Sequence, residues 1–388
     1  MRPKLKIVRA ATVPSSLDVF CRGLLAELSA GGYEVVALSS PGPELEKLGK
    51  REGVRTVSVA MRREISPAAD LVALVRLVRA LRRERPHMVH SMTPKAGLLC
   101  MLAAWMARVP VRVHTFTGLL FPTATGLRRR LLAACDRLIC ACATHVVPEG
   151  EGVRDDLLSA HITRKPMRVL GHGNVRGVDP DHYSRSPELQ ARGAELRREL
   201  GIPDGAPVFV YVGRLVTDKG IGELAEAFAM LDGSGAHLLL AGDEEPARDP
   251  LPAAARALLD ARPATVHRLG WLDDVRPALA AATALVLPSY REGFPNVVLE
   301  AGAMELPCVV TDINGSREII ADGRNGLVVP PRDAAALCRA MRRIADGPEA
   351  AAAMGALARP MVTERFSQNY VRRCLKDFYA EILPHEHL

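Results

Sequence analysis

Short apolar runs of strand type alternate with amphipathic helical patterns along most of the chain, and this alternation limits the fold more than any other feature. In the first half, strand-like runs at 4–8, 34–38, 88–90 and 111–115 are separated by helical patterns at 17–30, 68–85 and 96–107, with a further one at 127–142. The first of these helices is expected to stop at Gly31-Gly32. The pattern then starts again: strands at 207–212, 237–241, 266–269, 284–287 and 307–311, and helices at 220–230, 295–304, 333–345 and 370–382. Alternation of this kind predicts parallel sheets with helices on both faces. A chain of 388 residues, 48% of them hydrophobic, suits two such α/β units better than one. The expected fold class is therefore α/β, with two Rossmann-like doubly wound domains facing a cleft. A glycine-rich stretch at 169–178 marks the boundary. The expected domains are 1–173 and 174–366, followed by a segment at 367–388. Ligands of such sheets bind at the carboxyl ends of the strands.

Charge narrows the partners without choosing among them. A formal net charge of +7 and a pI near 9.1 suit polyphosphates, nucleic acid or an anionic membrane surface. The eight cysteines include no CxxC pair, which argues against a zinc site or a redox motif and for free thiols in a reducing cytosol. The basic stretch 1–9 lacks the apolar run of a signal peptide. The longest apolar stretch, 96–111, is interrupted by Arg108 and Pro110 and is too short to span a bilayer. The expected location is cytoplasmic, with peripheral contact at a membrane face.

Three segments of the second half carry the chemistry. In the first, Gly213-Arg214 ends a strand and Lys219-Gly220 opens a helix. Two cations at a strand's carboxyl end, beside a helix amino terminus, suit a diphosphate. In the second, Glu292-Gly293-Phe294-Pro295-Asn296-Val297 leads into a helix containing Glu300. Gly293 lets a ligand approach the backbone, and Pro295 is expected at the first helical position. The amides of Phe294, Asn296 and Val297 then point at an anion. The residues around Glu300 are apolar, so this glutamate is expected to be buried and to need a partner. The third segment, 311–327, is a strand–loop–helix passage rich in small polar residues.

Taken together these segments resemble the second domain of glycosyltransferase family 4, a retaining family of the two-domain GT-B fold. Gly213, Arg214, Lys219 and Gly220 match its G-R-x(3–4)-K-G stretch, and Glu292 and Glu300 match its E-G-F-P-x(3)-E-A signature. The resemblance runs from Pro207 to Phe366. It implies that Arg214 and Lys219 neutralise the donor diphosphate, that Glu300 holds the ribose, and that Glu292 and the amides after Gly293 hold the donor sugar. Arg214, Lys219 and Glu292 are the candidate catalytic residues. Gly213, Gly293, Phe294, Pro295, Asn296, Val297 and Glu300 are the candidate donor-binding residues. It also implies a UDP-sugar as substrate, no metal ion or other cofactor, no nucleic-acid partner, and a last helix that crosses back to the first domain.

The first half resembles the subset of that family that builds capsular and lipid-linked polysaccharides, through His90-Ser91-Met92-Thr93-Pro94-Lys95-Ala96-Gly97. The resemblance implies an acceptor site that includes Ser15, Ser16, Lys95 and Thr117, and a lipid-linked or saccharide acceptor. The chain departs from the subset at Met92 and Thr117, where histidines are usual, and at 11–16, where a glycine pair is usual. The cluster Arg128-Arg129-Arg130 on an amphipathic helix suits an anionic membrane surface. Two other readings stay open on the sequence alone: a sugar-nucleotide 2-epimerase of the same fold, and a non-catalytic sugar-nucleotide-binding protein. The absence of GxGxxG after the first strand of either half argues against a dehydrogenase.

Overall fold

The computed structural model describes residues 4–246 and 249–383. The outer parts of the basic stretch 1–9 and of the segment 367–388, residues 1–3 and 384–388, lie outside the described residues. The chain divides into two units, residues 1–176 together with 369–388, and residues 177–368.

The first unit is built on β1 (Lys6–Ala10), β2 (Glu34–Ser39), β3 (Arg55–Ser58), β4 (Met88–Met92), β5 (Val111–Phe116) and β6 (His145–Pro148). They form one sheet in the order β3-β2-β1-β4-β5-β6, with every neighbouring pair parallel. Side chains alternate across β1. Ile7 and Ala11 enter a core with Leu17, Leu25 and Leu28, whereas Val8 and Ala10 enter a core with Leu77, Leu99 and Ala103. Both faces are thus covered, as a parallel sheet requires. Each fully buried Leu or Ile contributes ~1.5–3 kcal/mol relative to exposure.

The second unit contains β7 (Val208–Val212), β8 (His237–Ala241), β9 (Val266–Gly270), β10 (Ala284–Leu287), β11 (Cys308–Thr311) and β12 (Gly326–Val329), in the order β12-β11-β10-β7-β8-β9, again parallel throughout. Phe209, Tyr211, Leu239 and Val309 are among the side chains of its single core.

The helix Gln368–Ile382 follows the second unit in sequence and packs on the first, with Leu375, Phe378 and Tyr379 in the same core as Ile7. Arg372 and Lys376 both pair with Glu27 there.

Two local expectations change. The helix expected over 17–30 is two helices, Pro14–Cys21 and Leu24–Ala30. They part at Gly23, which is left-handed and donates its amide to Glu52 Oε1 at 2.9 Å. Pro295 is not the first helical residue: its extended ψ of 104° makes it the cap before the helix Asn296–Ala303.

Candidate functional site

In the second unit the strand order reverses between β7 and β10, and the crevice at such a switch point is where open α/β sheets bind ligands. The three chemistry-bearing segments meet there. The Tyr211 hydroxyl donates to the Arg214 carbonyl at 2.8 Å and fixes the backbone where β7 ends. The Arg214 side chain is 52% exposed and pairs with Glu245 at 2.7 Å. A short 3-10 turn, Thr217–Lys219, then closes on Gly220, whose φ is 69°. A Cβ at Gly220 would stand 2.0 Å from the Pro288 carbonyl oxygen, so only glycine lets this turn lie against the exit of β10.

Side chains then join the first two segments. Lys219 Nζ pairs with the Glu292 carboxylate, Arg291 with Asp218 at 2.6 Å, and the Tyr290 amide donates to the Asp218 carbonyl at 3.0 Å. The third segment closes on the second at Gly315, where a Cβ would meet the Gly293 carbonyl oxygen at 2.6 Å and Phe294 Cα at 2.7 Å. Thr311 also donates its hydroxyl to the Ser289 carbonyl at 2.5 Å. Glu300 is 8% exposed, the fifth residue of its helix. In these loops the Ser289 and Ser316 hydroxyls are buried without a partner among the described residues, at ~1–3 kcal/mol each.

The first unit has its switch point between β1 and β4. Thr12 follows β1 and Thr93 follows β4, and their hydroxyls are 2.8 Å apart. The Thr12 amide donates to Thr93 Oγ1, and Thr12 Oγ1 accepts from the Ala96 amide, both at 3.1 Å. Thr93 has φ of 68°, a strained conformation for a β-branched residue, and it directs Pro94 into the first turn of the helix Pro94–Met106. A pocket of about 150 Å³ opens beside it, lined in part by Lys95, His114, Thr117, Leu131, Leu132 and Asp136. Lys95 is held by Asp70 at 2.5 Å.

Behind the pocket lies a buried network. Arg9 donates to His90 Nδ1 and to the Tyr379 hydroxyl, each at 2.5 Å. His90 Nδ1 therefore accepts, and Nε2–H donates to Thr115 Oγ1 at 2.7 Å. Burial, aided by Arg9, holds the His90 pKa well below its ordinary value. Burial lowers His114 to about 3, although it meets the Ser91 hydroxyl at 2.8 Å. Both imidazoles are neutral.

Known proteins place this geometry. Residues 206–346 match the family model for group 1 glycosyl transferases, and residues 17–173 match the model for a glycosyl transferase 4-like domain. The alpha-D-kanosaminyltransferase of Streptomyces kanamyceticus is 33% identical, over 94% of this chain and 100% of its own. The chain belongs to the group 1 glycosyltransferases. The capsular polysaccharide biosynthesis glycosyltransferase CapM of Staphylococcus aureus is 27% identical over 97% of each chain. Anabaena HepE, solved in complex with UDP, superposes with a TM-score of 0.79 at 17% identity, covering 98% of this chain and all of its own. The fold of this glycosyltransferase is GT-B, as the sequence led us to expect, and membership of the family sets aside the epimerase and the binding-protein readings.

Within the glycosyltransferase, the expected donor residues Gly213, Arg214, Lys219, Glu292, Gly293 and Phe294 come together at one switch point. The carboxylates on the two cations are an arrangement that spacing does not reveal. Of the acceptor candidates, Lys95 and Thr117 share a pocket, whereas Ser15 and Ser16 lie on the helix Pro14–Cys21, outside its lining. The one Asp-x-Asp spacing in the chain, Asp179-Pro180-Asp181, is a turn in which Asp179 Oδ1 accepts from the amides of Asp181 and His182 at 3.0 and 3.2 Å. The sequence reading missed Asp136, Arg9 and Tyr379. A lone acid in the stretch 131–140, whose other residues are apolar except Arg137, was the signal for the first. No helix among the described residues is long and apolar enough to cross a membrane.

Proposed function

We propose that this glycosyltransferase takes a sugar from a UDP-sugar, retains its anomeric configuration, and delivers it to a lipid-linked or saccharide acceptor of a surface polysaccharide. The observation that carries this reading is the convergence of Arg214, Lys219, Glu292 and Glu300 on the switch point of the second unit. The UDP complex of Anabaena HepE and the capsular role of CapM support the donor and the acceptor class. In this reading an incoming diphosphate takes Arg214 from Glu245 and Lys219 from Glu292. The two cations stabilise charge that grows as the bond from the anomeric carbon to the phosphate oxygen breaks. Glu292, released, accepts hydrogen bonds from sugar hydroxyls, and Glu300 accepts from the ribose. The acceptor oxygen bonds to the anomeric carbon on the face the phosphate leaves, and its proton passes to a departing phosphate oxygen.

No metal enters this scheme, so transfer should survive excess EDTA. The test of the whole reading is turnover on a panel of sugar nucleotides, with the product anomer assigned by NMR. Inversion, or no turnover of any UDP-sugar, overturns it.

A peripheral membrane position belongs to the same proposal. The helix Gly126–Cys142 exposes Leu127 (81%) and Leu131 beside the exposed Arg128, Arg129 and Arg130. Changing the three arginines to glutamate should release the protein from anionic vesicles, at ~1 kcal/mol per residue. Unchanged sedimentation removes the membrane from the reading.

A further inference from the structure

Asp136 is a carboxyl that the fold has no use for. It sits on the helix Gly126–Cys142, on the side that presents Leu131, Leu132 and Cys135 to the pocket of the first unit. It is 8% exposed, and among the described residues it has no hydrogen-bond or ion-pair partner. Of the two cations that line the pocket, Lys95 is already committed to Asp70 and the exposed Arg63 makes no ion pair with Asp136 among the described residues. Burial alone pushes the Asp136 pKa up to about 7, so near neutral pH it is divided between acid and carboxylate and can both donate and accept. The remaining walls are largely apolar, with Leu98, Phe116, Leu120, Leu131 and Leu132. An unpaired polar group costs stability in such surroundings unless something that binds there completes it.

We propose that Asp136 is a specificity-determining residue of the acceptor site, hydrogen-bonding an acceptor hydroxyl while the surrounding leucines and Phe116 hold an apolar chain of the same molecule. The inference rests on the reading of the first unit as the acceptor unit, and it names the acceptor chemistry: an amphiphile with an alkyl or isoprenyl chain next to a hydroxyl-bearing head. A hydroxyl is favoured over an ammonium group because Lys95 and Arg63 line the same pocket.

The test uses the full chain, with octyl β-glucoside below its micelle concentration as probe and methyl β-glucoside as the control without a chain. Calorimetry should show the octyl compound binding at least about tenfold more tightly than the methyl compound. Asp136→Ala should weaken octyl glucoside by about tenfold, and Asp136→Asn should restore most of it. Neither variant should lower the Tm, because the carboxyl has no structural partner to lose, and both should bind UDP as the wild type does. Equal octyl glucoside affinity for wild type and Asp136→Ala, no preference for octyl over methyl, or a lowered Tm in Asp136→Ala each overturns the inference. Failure of the wild type to bind UDP overturns the donor reading instead and leaves the octyl glucoside result to be judged by itself.

Discussion

The two sheets share one strand order, with the first strand of each at the centre beside the fourth, yet the two switch points are equipped in opposite ways. In the second unit the cations range from exposed to half-buried and are held by carboxylates: Arg214 by Glu245, Lys219 by Glu292, Arg291 by Asp218. Such exposed or half-buried pairs are weak, commonly worth under ~1 kcal/mol, and a more highly charged anion displaces them. In the first unit the arginine of the first strand points inward and is held by buried neutral groups, an imidazole and a phenol. One topology thus carries an exchangeable ionic site in one copy and, in the other, a fixed polar core beside a mostly apolar pocket. The difference teaches that topology sets where a ligand goes, while the burial of the charges sets whether they serve a ligand or the fold.

Mutation should separate the two roles, and the largest effect is expected where the charges are exchangeable. Arg214→Ala and Lys219→Ala should each slow transfer by about a hundredfold or more, as loss of a preorganised charge stabiliser does, without changing Tm by more than the weak pairs allow. Wild-type rates in both variants would erase the contrast. Tyr379→Phe should do the reverse. Removing one hydrogen bond from a buried guanidinium should cost about 1.5–3 kcal/mol of stability, with the rate per folded molecule unchanged; urea unfolding alongside initial rates checks it. Within the second unit the two glutamates sharpen the picture. Glu300→Gln should weaken binding of UDP itself by about tenfold, and Glu292→Gln should spare UDP binding and lower the transfer rate by a similar factor. The opposite pattern would exchange their roles.

The smallest effect concerns pH. His90 and His114 are neutral in the folded first unit and take up protons on unfolding below their ordinary pKa of about 6.5, so their stabilisation is complete above that pH. It is lost as pH falls towards about 3, the folded value of His114. Each contributes a slope of up to ~1.4 kcal/mol per pH unit. Asp136 works against them between its unfolded value of 3.8 and about 7, because the folded state there keeps a proton that the unfolded state releases. The net loss from these three groups between pH 6.5 and 5.5 should be near that of one histidine, ~1 kcal/mol, and the lowered His145 adds to it in the same direction. Hydrogen exchange, corrected for intrinsic rates, should show this loss in β4 and β5 and less of it in β7 and β10, because burial lowers His237 and His267 of the second unit by less than it lowers His114. Equal loss in both units would dissolve the distinction.

What the sequence disclosed follows from what is local. The central strands are legible because burial on both faces makes a continuous apolar run, as in Val-Phe-Val-Tyr-Val over β7. The strands β3, β6 and β12 escape because they are edges of four residues each, and β3, Arg-Thr-Val-Ser, buries none of its side chains fully. The donor residues are legible by type and spacing, but not their pairing: Lys219 and Glu292 are 73 residues apart in sequence, and Arg214 and Glu245 are 31. Arg9 shows the same limit. In sequence it belongs to a basic amino-terminal stretch that suggests a surface, and only the tertiary contact with Tyr379, 370 residues away, explains why it is buried.

That last contact also sets a timetable. Strand β1 is made some 370 residues before Tyr379, and the helix that supplies Tyr379 emerges only after residues 177–368 have been added, so the wait is roughly 20–75 s at about 5–20 residues per second. Until then the nascent first unit holds a buried-type guanidinium without its phenol and an apolar surface without Leu375 and Phe378. The second unit needs nothing that comes after it and can fold while the first waits. On the ribosome the unit whose strands are made earlier therefore finishes later, and it is the unit that a chaperone, or a premature stop within the helix Gln368–Ile382, has the longer opportunity to catch.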